Sequence, residues 1–335
     1  MEHLYDYLSF LAKVVTVVVA LFALVAGLAA LAWRRRTGGE AGHLEIRFMN
    51  HRLREMKRGF DETFLRRRDF KRLVKSETKA EEQRKATRAD GRARIFVLSF
   101  AGDLTASRVD ELRHEITAVL TTARPQDRVV VRIESAGGVV HGYGLAAAQL
   151  KRVRERGLEL VAAIDKVAAS GGYMMASVAD RIVAAPFALV GSIGVIAQVP
   201  NVHRLLKRHD VDVEVLTAGQ YKRTLTVLGE NTDAGRAKFQ QELDDVHALF
   251  QELVVANRPS VDIASVATGE SWYGKRALER RLVDELATSD EYLTRACETH
   301  DVYEVRWIEQ KKTFERWLAR LTAALAAAIP GIRWS

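Results

Sequence analysis

The chain has 335 residues, 48% of them hydrophobic, and a formal net charge of +8. This size is sufficient for one sizeable core and a membrane segment. The single cysteine, Cys297, excludes an intrachain disulfide, and no HExxH, paired-cysteine or EF-hand motif is present. We therefore expect no metal and no other cofactor.

The N-terminal segment is strongly apolar. Val14 to Trp33 is a run of 20 residues without a charge, which is enough to cross a bilayer as one helix. Three arginines follow Trp33 and favour a stop at the membrane interface. A cleaved signal peptide is the alternative, but the run is long for one and acidic residues, Glu2 and Asp6, precede it. The sequence predicts a single transmembrane anchor over residues 1–36.

A basic segment follows the predicted anchor. Residues 34–94 carry 20 Lys and Arg against 10 Asp and Glu, a net charge of +10, so the rest of the chain carries −2. Because the remaining chain has no net positive charge, we expect no nucleic-acid partner. Apolar residues at helix-like intervals predict a partly helical linker over 37–93 that lies on anionic lipid. A solvated linker of low order fits the same composition.

From residue 94 onwards, strand-like and helix-like segments alternate. Buried strands are predicted over 95–100, 129–133, 158–164 and 181–185, and helices over 106–122, 142–153 and 172–179. Such alternation predicts an α/β fold with a mostly parallel sheet. Further on, residues 236–257 form an amphipathic pattern typical of a core helix or a subunit contact. An amphipathic tail over 301–335 is expected to bind a membrane surface or to pack within an oligomer.

Two glycine-containing turns follow neighbouring predicted strands, Gly137-Gly138 after the second and Ser170-Gly171-Gly172 after the third. Since sites in α/β sheets form at the carboxyl ends of strands, both turns can face one cleft. A serine at a strand-to-helix turn can be a nucleophile, and the Gly171 N–H can face the oxyanion that its attack creates. The alternatives are a helix-capping serine and an ordinary turn.

Lys222 is the candidate base. No histidine lies near Ser170 in sequence and no GxSxG motif surrounds it, so nothing nominates the members of a Ser-His-Asp triad. A lysine can act as the base when burial lowers its pKa from about 10.4. The apolar, glycine-containing approach to Lys222 predicts partial burial, whereas a solvated lysine beside Arg223 is the alternative.

The chain resembles the S49 serine peptidases, the signal peptide peptidase A group, and within it the shorter, membrane-anchored type. The resemblance covers residues 94–300 and rests on five motifs in the family's order: Glu134–Gly138, Asp165–Ala176, Val190–Val195, Gly219–Arg223 and Thr268–Gly274. Two positions depart from the family pattern, because Ala136 and Arg281 stand where proline and glycine are usual.

The resemblance implies a peptidase domain over 94–300 with a ClpP/crotonase-like fold. It implies Ser170 as the nucleophile, Lys222 as the general base, and the N–H groups of Gly138 and Gly171 as the oxyanion hole. It further implies that Ser192 orients the lysine. In short members of the family the lysine is expected to come from a neighbouring subunit, which predicts a homo-oligomer.

The function implied is a membrane-anchored serine endopeptidase of the cell inner membrane that hydrolyses signal peptides or other short unfolded peptides. The positive-inside rule places the C-terminal domain in the cytoplasm, whereas the family is associated with the far side, so the side stays open. Two alternatives remain: a crotonase-like acyl-CoA enzyme, which would not need Ser170 and Lys222, and a non-catalytic oligomeric membrane scaffold.

Overall fold

The computed structural model of the protein describes Thr16 and residues 42–86 and 92–309. Apart from Thr16, the predicted anchor lies outside these ranges, as does the tail beyond residue 309. Within the described ranges, no helix is both long and apolar enough to span a membrane.

In the described part of the chain, ten strands form two sheets. Their bounds are β1 Gly42–Phe48, β2 Arg94–Ala101, β3 Arg128–Glu134, β4 Glu159–Ile164, β5 Val167–Ala169, β6 Arg181–Ala184, β7 Leu189–Gly191, β8 Ser271–Tyr273, β9 Glu285–Leu286 and β10 Asp301–Glu309. The larger sheet has the order β1-β10-β2-β3-β4-β6-β9, and the pairs from β10 to β9 are parallel. The smaller sheet has the order β5-β7-β8, with β8 antiparallel to β7.

Ten helices connect and cover these strands in the described ranges. Their bounds are α1 Met49–Phe64, α2 Arg67–Ala86, α3 Val109–Thr122, α4 Val140–Glu155, α5 Gly171–Ser177, α6 His203–Arg208, α7 Asp233–Asn257, α8 Ile263–Val266, α9 Gly274–Glu279 and α10 Ser289–Thr299.

The larger sheet is buried on both faces. Because successive side chains along a strand point to opposite sides, strands β2, β3, β4 and β6 each contribute to both core clusters. On β2, Phe96, Leu98 and Phe100 belong to the core cluster that includes residues of α3, α4, α5 and α7, whereas Ile95 and Val97 belong to the cluster that includes residues of α10 and the start of α1. Parallel strands covered on both faces are near-continuous apolar runs, as the sequence of β2 to β4 shows. The predicted mixed α/β class is confirmed.

One side of the larger sheet, formed by β1 and β10, includes residues that the sequence pattern assigned to the linker and to the tail. Strand β1 begins at Gly42 and β10 runs to Glu309. The buried side chain of Asn50 ties the linker helix α1 to this region, because its amide nitrogen donates to the carbonyls of Cys297 and His300, each at 2.9 Å. Its amide oxygen accepts from the N–H of Val302 at 2.8 Å. The packing around the larger sheet therefore includes residues before 94 and after 300.

The smaller sheet lies against the carboxyl end of β3. The N–H of Ser135 donates to Val167 O at 2.9 Å, and the N–H of Ala169 donates back to Ser135 O at 3.0 Å. These two bonds join the turn after β3 to strand β5. The short sheet thereby brings together loops that are far apart in the sequence.

Candidate active site

Ser170 lies at the junction between β5 and α5 in a strained conformation. Its φ is 52° and its ψ is −119°, a region that side chains rarely adopt and that clusters at functional sites. The backbone is held from both sides: the Ser170 N–H donates to Gly191 O at 2.8 Å, and Ser170 O accepts from the N–H of Met174 at 2.9 Å. The side chain makes no capping hydrogen bond, so the helix-cap alternative does not account for this serine.

The Ser170 hydroxyl is half-buried and has no hydrogen-bond partner among the residues that the structure describes. Backbone N–H groups near it that are also without an acceptor within the same ranges include those of Gly138 and Gly171. The Gly137 N–H, by contrast, donates to Ser135 Oγ at 3.0 Å. The loop after β3 thus leaves the Gly138 N–H free beside the serine, whereas its Gly137 N–H is bound.

The two loops approach each other so closely that only glycine fits at their contact. A Cβ atom on Gly137 would lie 2.7 Å from the Cβ of Ser170 and 2.7 Å from the nitrogen of Gly171. Gly137 also has a φ of 93°, where a side chain is strained in any surroundings. A Cβ atom on Gly171 would overlap the ring of Tyr143. The glycines are therefore required by packing on both sides of the serine.

Ser192 is brought next to Ser170 by strand pairing. Ala169 of β5 pairs with Gly191 of β7, so the two serines follow paired residues on neighbouring strands. Ser192 also has a positive φ, 53°, and its N–H donates to Glu270 O at 2.6 Å. The aromatic ring of Trp272 covers Gly191, because a Cβ atom added to this glycine would lie 2.9 Å from the ring. Residues of the Thr268–Gly274 motif thus close the site from the side of β8.

Lys222 is the exception among the predicted site residues. Its side chain is exposed and makes no hydrogen bond or ion pair with any residue in the described ranges, so the expected partial burial is not found in the single chain. The surrounding segment, residues 195–232, contains one short helix, α6, and is otherwise irregular. The fold brings together Gly138, Ser170, Gly171 and Ser192, whereas Lys222 lies on this exposed segment.

Lys166, the lysine closest to Ser170 in sequence, is poorly suited to accept a proton. Its Nζ forms an ion pair with Glu134 Oε1 at 2.8 Å, and this bond to Glu134 raises the pKa of the lysine. A base must be neutral before it can take a proton, so the pairing disfavours Lys166 in that role.

Sequence reasoning missed two residues beside the site, Ser135 and Tyr143. Their hydroxyl oxygens lie 2.5 Å apart, and Ser135 Oγ accepts the Gly137 N–H. Ser135 is part of the Glu134–Gly138 motif, so its position in that motif was an available signal. No sequence pattern pointed to Tyr143, because its contact with Ser135 depends on how α4 packs against the turn after β3.

Comparisons with known proteins define the class to which the chain belongs, the peptidases. The family model "Peptidase family S49 N-terminal" matches residues 2–150, and "Peptidase family S49" matches residues 152–303. The chain belongs to peptidase family S49, and its general activity is that of a protease.

Relatives with a curated description carry the same kind of name. "Probable protease SohB" from Haemophilus influenzae is 45% identical over 322 residues, which covers 93% of this chain and 91% of the relative. A protein with the same name from Buchnera aphidicola subsp. Acyrthosiphon pisum is 49% identical and covers 72% of this chain and 71% of the relative.

Among solved structures, the 1510-N membrane-bound stomatin-specific protease in complex with a substrate peptide is similar at a TM-score of 0.41 and 12% identity. It covers 69% of this chain and 99% of the solved chain.

Proposed function

We propose that the protein is a membrane-anchored serine endopeptidase on a ClpP/crotonase-like fold that hydrolyses signal peptides or other short unfolded peptides. Ser170 is the nucleophile and Lys222 the general base. The observation that carries the proposal is the strained Ser170, whose hydroxyl is unpartnered in the described ranges and lies beside two backbone N–H groups that are equally without an acceptor.

The N–H groups of Gly138 and Gly171 form the oxyanion hole in this proposal. Free, preorganised donors stabilise charge that develops in the transition state, and removing one such donor typically costs about 2.7–4 kcal/mol. Gly171 is the first residue of α5, a helix that begins directly after the nucleophile. Gly138 approaches from the turn after β3, so the two donors come from different loops.

Lys222 reaches the serine of a neighbouring subunit in this proposal. Ten large apolar side chains are exposed on the segment that carries it: Ile196, Val199, Val202, Leu205, Val211, Val215, Leu216, Tyr221, Val227 and Leu228. Such an exposed apolar surface is typical of a protein interface. A second copy of the chain that covers this segment would exclude water from Lys222, and the loss of water favours the neutral amine that a base requires.

Catalysis then proceeds through an acyl-enzyme. The neutral Nζ of Lys222 takes the proton of Ser170 as Oγ attacks the scissile carbonyl carbon, and the oxyanion binds the two N–H groups. The protonated lysine, oriented by Ser192, gives its proton to the leaving amine as the peptide C–N bond breaks. The lysine next activates a water molecule, which releases the acyl group and restores Ser170.

Apolar side chains beside the oxyanion loop suit apolar peptides. Leu104, which is 71% exposed, has its backbone against Gly138, and Val140 follows two residues later with 41% exposure. Exposed apolar groups at the mouth of a site favour apolar substrate residues. Signal peptides are rich in such residues, and the predicted anchor would hold the enzyme at the membrane where they are released.

Purified protein in detergent with a quenched apolar peptide tests the proposal. Cleavage should fall at least about 100-fold in Ser170→Ala and Lys222→Ala, while Lys207→Ala, a matched exposed lysine on the same segment, keeps wild-type cleavage. Cleavage by both site variants at the wild-type rate would contradict the proposal. Measurable coenzyme A binding would then favour an acyl-CoA enzyme, and its absence together with retained assembly would favour a scaffold.

Mixing two inactive variants tests whether the lysine acts across subunits. Oligomers assembled from Ser170→Ala and Lys222→Ala chains contain sites in which Ser170 of one chain meets Lys222 of the other. We expect such mixed oligomers to recover cleavage, whereas each variant alone stays inactive. If the mixture stays inactive although mass spectrometry shows mixed oligomers, the lysine acts within its own chain.

A further inference from the structure

A continuous run of hydrogen bonds begins at the candidate oxyanion loop and ends in a neighbouring turn. The Gly137 N–H donates to Ser135 Oγ at 3.0 Å, Ser135 Oγ lies 2.5 Å from Tyr143 Oη, and Tyr143 Oη donates to Asp103 O at 2.7 Å. Ser135 is 2% exposed and Tyr143 is fully buried. The run is thus closed off from solvent beneath the site.

The direction of the bonds in this run is fixed by its two ends. A backbone carbonyl can only accept, so the single proton of Tyr143 is committed to Asp103 O. Ser135 must therefore donate its own proton to the tyrosine oxygen and accept from Gly137. Every hydroxyl donates once and accepts once, and hydrogen bonds aligned in one direction strengthen each other.

The turn that receives this run is itself well anchored. The carboxylate of Asp103 accepts from the backbone N–H groups of Ser107 at 2.9 Å and Thr105 at 3.1 Å, and the bonds to Ser107 are the largest cause that lowers the pKa of Asp103. Leu104 O accepts from the N–H of Val139 at 2.8 Å. The turn therefore holds the loop containing Gly138 from the far side as well.

The same two residues also contact the loop of the nucleophile, Tyr143 through its ring and Ser135 through its backbone carbonyl. The ring of Tyr143 lies directly beneath Gly171, where any Cβ atom would overlap it. A Cβ atom on Gly172 would lie 2.5 Å from Ser135 O. One tyrosine and one serine thus set the separation between the two loops that carry the free N–H groups.

We propose that Ser135 and Tyr143 are positioning residues that fix the Gly138 N–H relative to Ser170. The inference rests on the proposed peptidase function. The bond from the Gly137 N–H to Ser135 holds the peptide plane between residues 136 and 137, and the bond from the Val139 N–H to Leu104 O holds the plane between residues 138 and 139. The plane that carries the Gly138 N–H therefore lies between two anchored planes, which restricts its rotation. Neither hydroxyl touches the substrate; both act through the backbone of the loop.

The test uses Tyr143→Phe and Ser135→Ala in the full-length protein. Tyr143→Phe keeps the ring beneath Gly171 and removes only the hydroxyl. Because a misplaced donor affects the transition state more than substrate binding, we expect kcat to fall roughly ten-fold or more while KM changes less than about two-fold. The double variant should be no slower than the slower single variant, since both changes release the same loop.

Tyr173→Phe is the matched control. Tyr173 is also fully buried, its hydroxyl donates to Leu282 O at 3.0 Å, and it lies on α5 only three residues after Ser170. The Tyr173→Phe variant loses a buried hydroxyl of a similar kind, and the change does not alter the Gly137 loop. We expect its kcat and KM to stay at wild-type values even if its melting temperature falls.

Hydrogen exchange of the peptide spanning residues 134–139 tests the positioning without any catalytic readout. Tyr143→Phe and Ser135→Ala should speed its exchange, and Tyr173→Phe should not. Unchanged exchange, or equal losses of kcat in Tyr143→Phe and Tyr173→Phe, overturns the inference. If the wild type shows no cleavage that depends on Ser170, the proposed function and the catalytic part of this inference are overturned. The exchange result still decides whether Ser135 and Tyr143 order the loop of residues 134–139.

Discussion

Gly137 packs directly against Ser170, and a Cβ atom on the glycine would lie 2.7 Å from that of the serine. Real Cβ atoms do not approach each other so closely, so any side chain at position 137 must displace the loop that carries the candidate nucleophile. The contact couples the turn after β3 to the β5–α5 junction, which is the relationship on which the candidate site depends.

Gly137→Ala is therefore expected to lower the rate of peptide cleavage at least about 100-fold. The added methyl group separates the two loops, and the positive φ of residue 137 is strained in alanine. Cleavage of the quenched peptide measures this effect, with circular dichroism to confirm folding. Gly144→Ala is the control: it lies within α4 with nothing within 4 Å of an added Cβ. It should keep wild-type cleavage and gain up to about 1 kcal/mol of helix stability. Equal cleavage by both variants would contradict the packing argument.

Arg281→Gly is expected to stabilise the protein. Arg281 follows α9 with a φ of 60°, which explains why the family usually has glycine there. Glycine relieves the strain but has a more flexible unfolded state, which leaves a net gain of about 0.5–1 kcal/mol in the free energy of unfolding. Chemical denaturation measures it. Lys275→Gly, an exposed helical position on α9, should instead lose about 1 kcal/mol. A destabilised Arg281→Gly variant would refute the strain argument.

Asn50→Ala is expected to lower the free energy of unfolding by roughly 2–4 kcal/mol. The buried amide satisfies the carbonyls of Cys297 and His300 and the N–H of Val302, and all three lose a partner in the variant. Thermal unfolding measures the loss. His51→Ala, the exposed next residue on α1, should change stability by less than about 0.5 kcal/mol. Similar melting temperatures for the two variants would show that α1 is not part of the folded unit.

Glu115 makes stability depend on pH. Burial is the main cause that raises the pKa of this carboxyl to about 7. The unfolded value is about 4.3, so between about pH 4.5 and 7 the folded state binds the extra proton and the free energy of unfolding falls as pH rises. Glu115→Gln keeps an oxygen that can accept the Trp307 N–H and removes the charge.

We expect Glu115→Gln to exceed the wild type by roughly 3 kcal/mol in the free energy of unfolding at pH 8 and to match it near pH 4.5. Denaturation curves at both pH values measure the difference. An equal difference at the two pH values would assign the effect to packing and not to titration of this group.

The central part of the fold follows from sequence because its signals are local. The apolar runs of β2, β3, β4 and β6 and the helices between them have clear periodicity and lie within a few residues of their predicted bounds. Strands β5, β7 and β8 have only three residues each, too few for a period, so the smaller sheet was not predicted. Strand β10 was placed in the tail, because its pairing with β2 is a contact across the whole domain.

The candidate site divides in the same way. Ser170 and Gly171 follow from a glycine-containing turn at a strand end, whereas the roles of Gly138 and Ser192 were implied by the family resemblance. The pairing of β5 with β7 then places Ser192 beside Ser170. The predicted partial burial of Lys222 is not found in the single chain, because an apolar approach to a residue does not specify which surface covers it. Ser135 and Tyr143 meet only through packing of α4, which no local pattern encodes.

The most direct test of the account is to locate the covalent adduct that a fluorophosphonate probe leaves on the detergent-solubilised protein. Mass spectrometry of the digested wild type should find one modified residue, Ser170, with no adduct in Ser170→Ala and a strong loss of labelling in folded Lys222→Ala. An adduct on a different residue, or full labelling of Lys222→Ala, would contradict the assignment of Ser170 as nucleophile and Lys222 as its base.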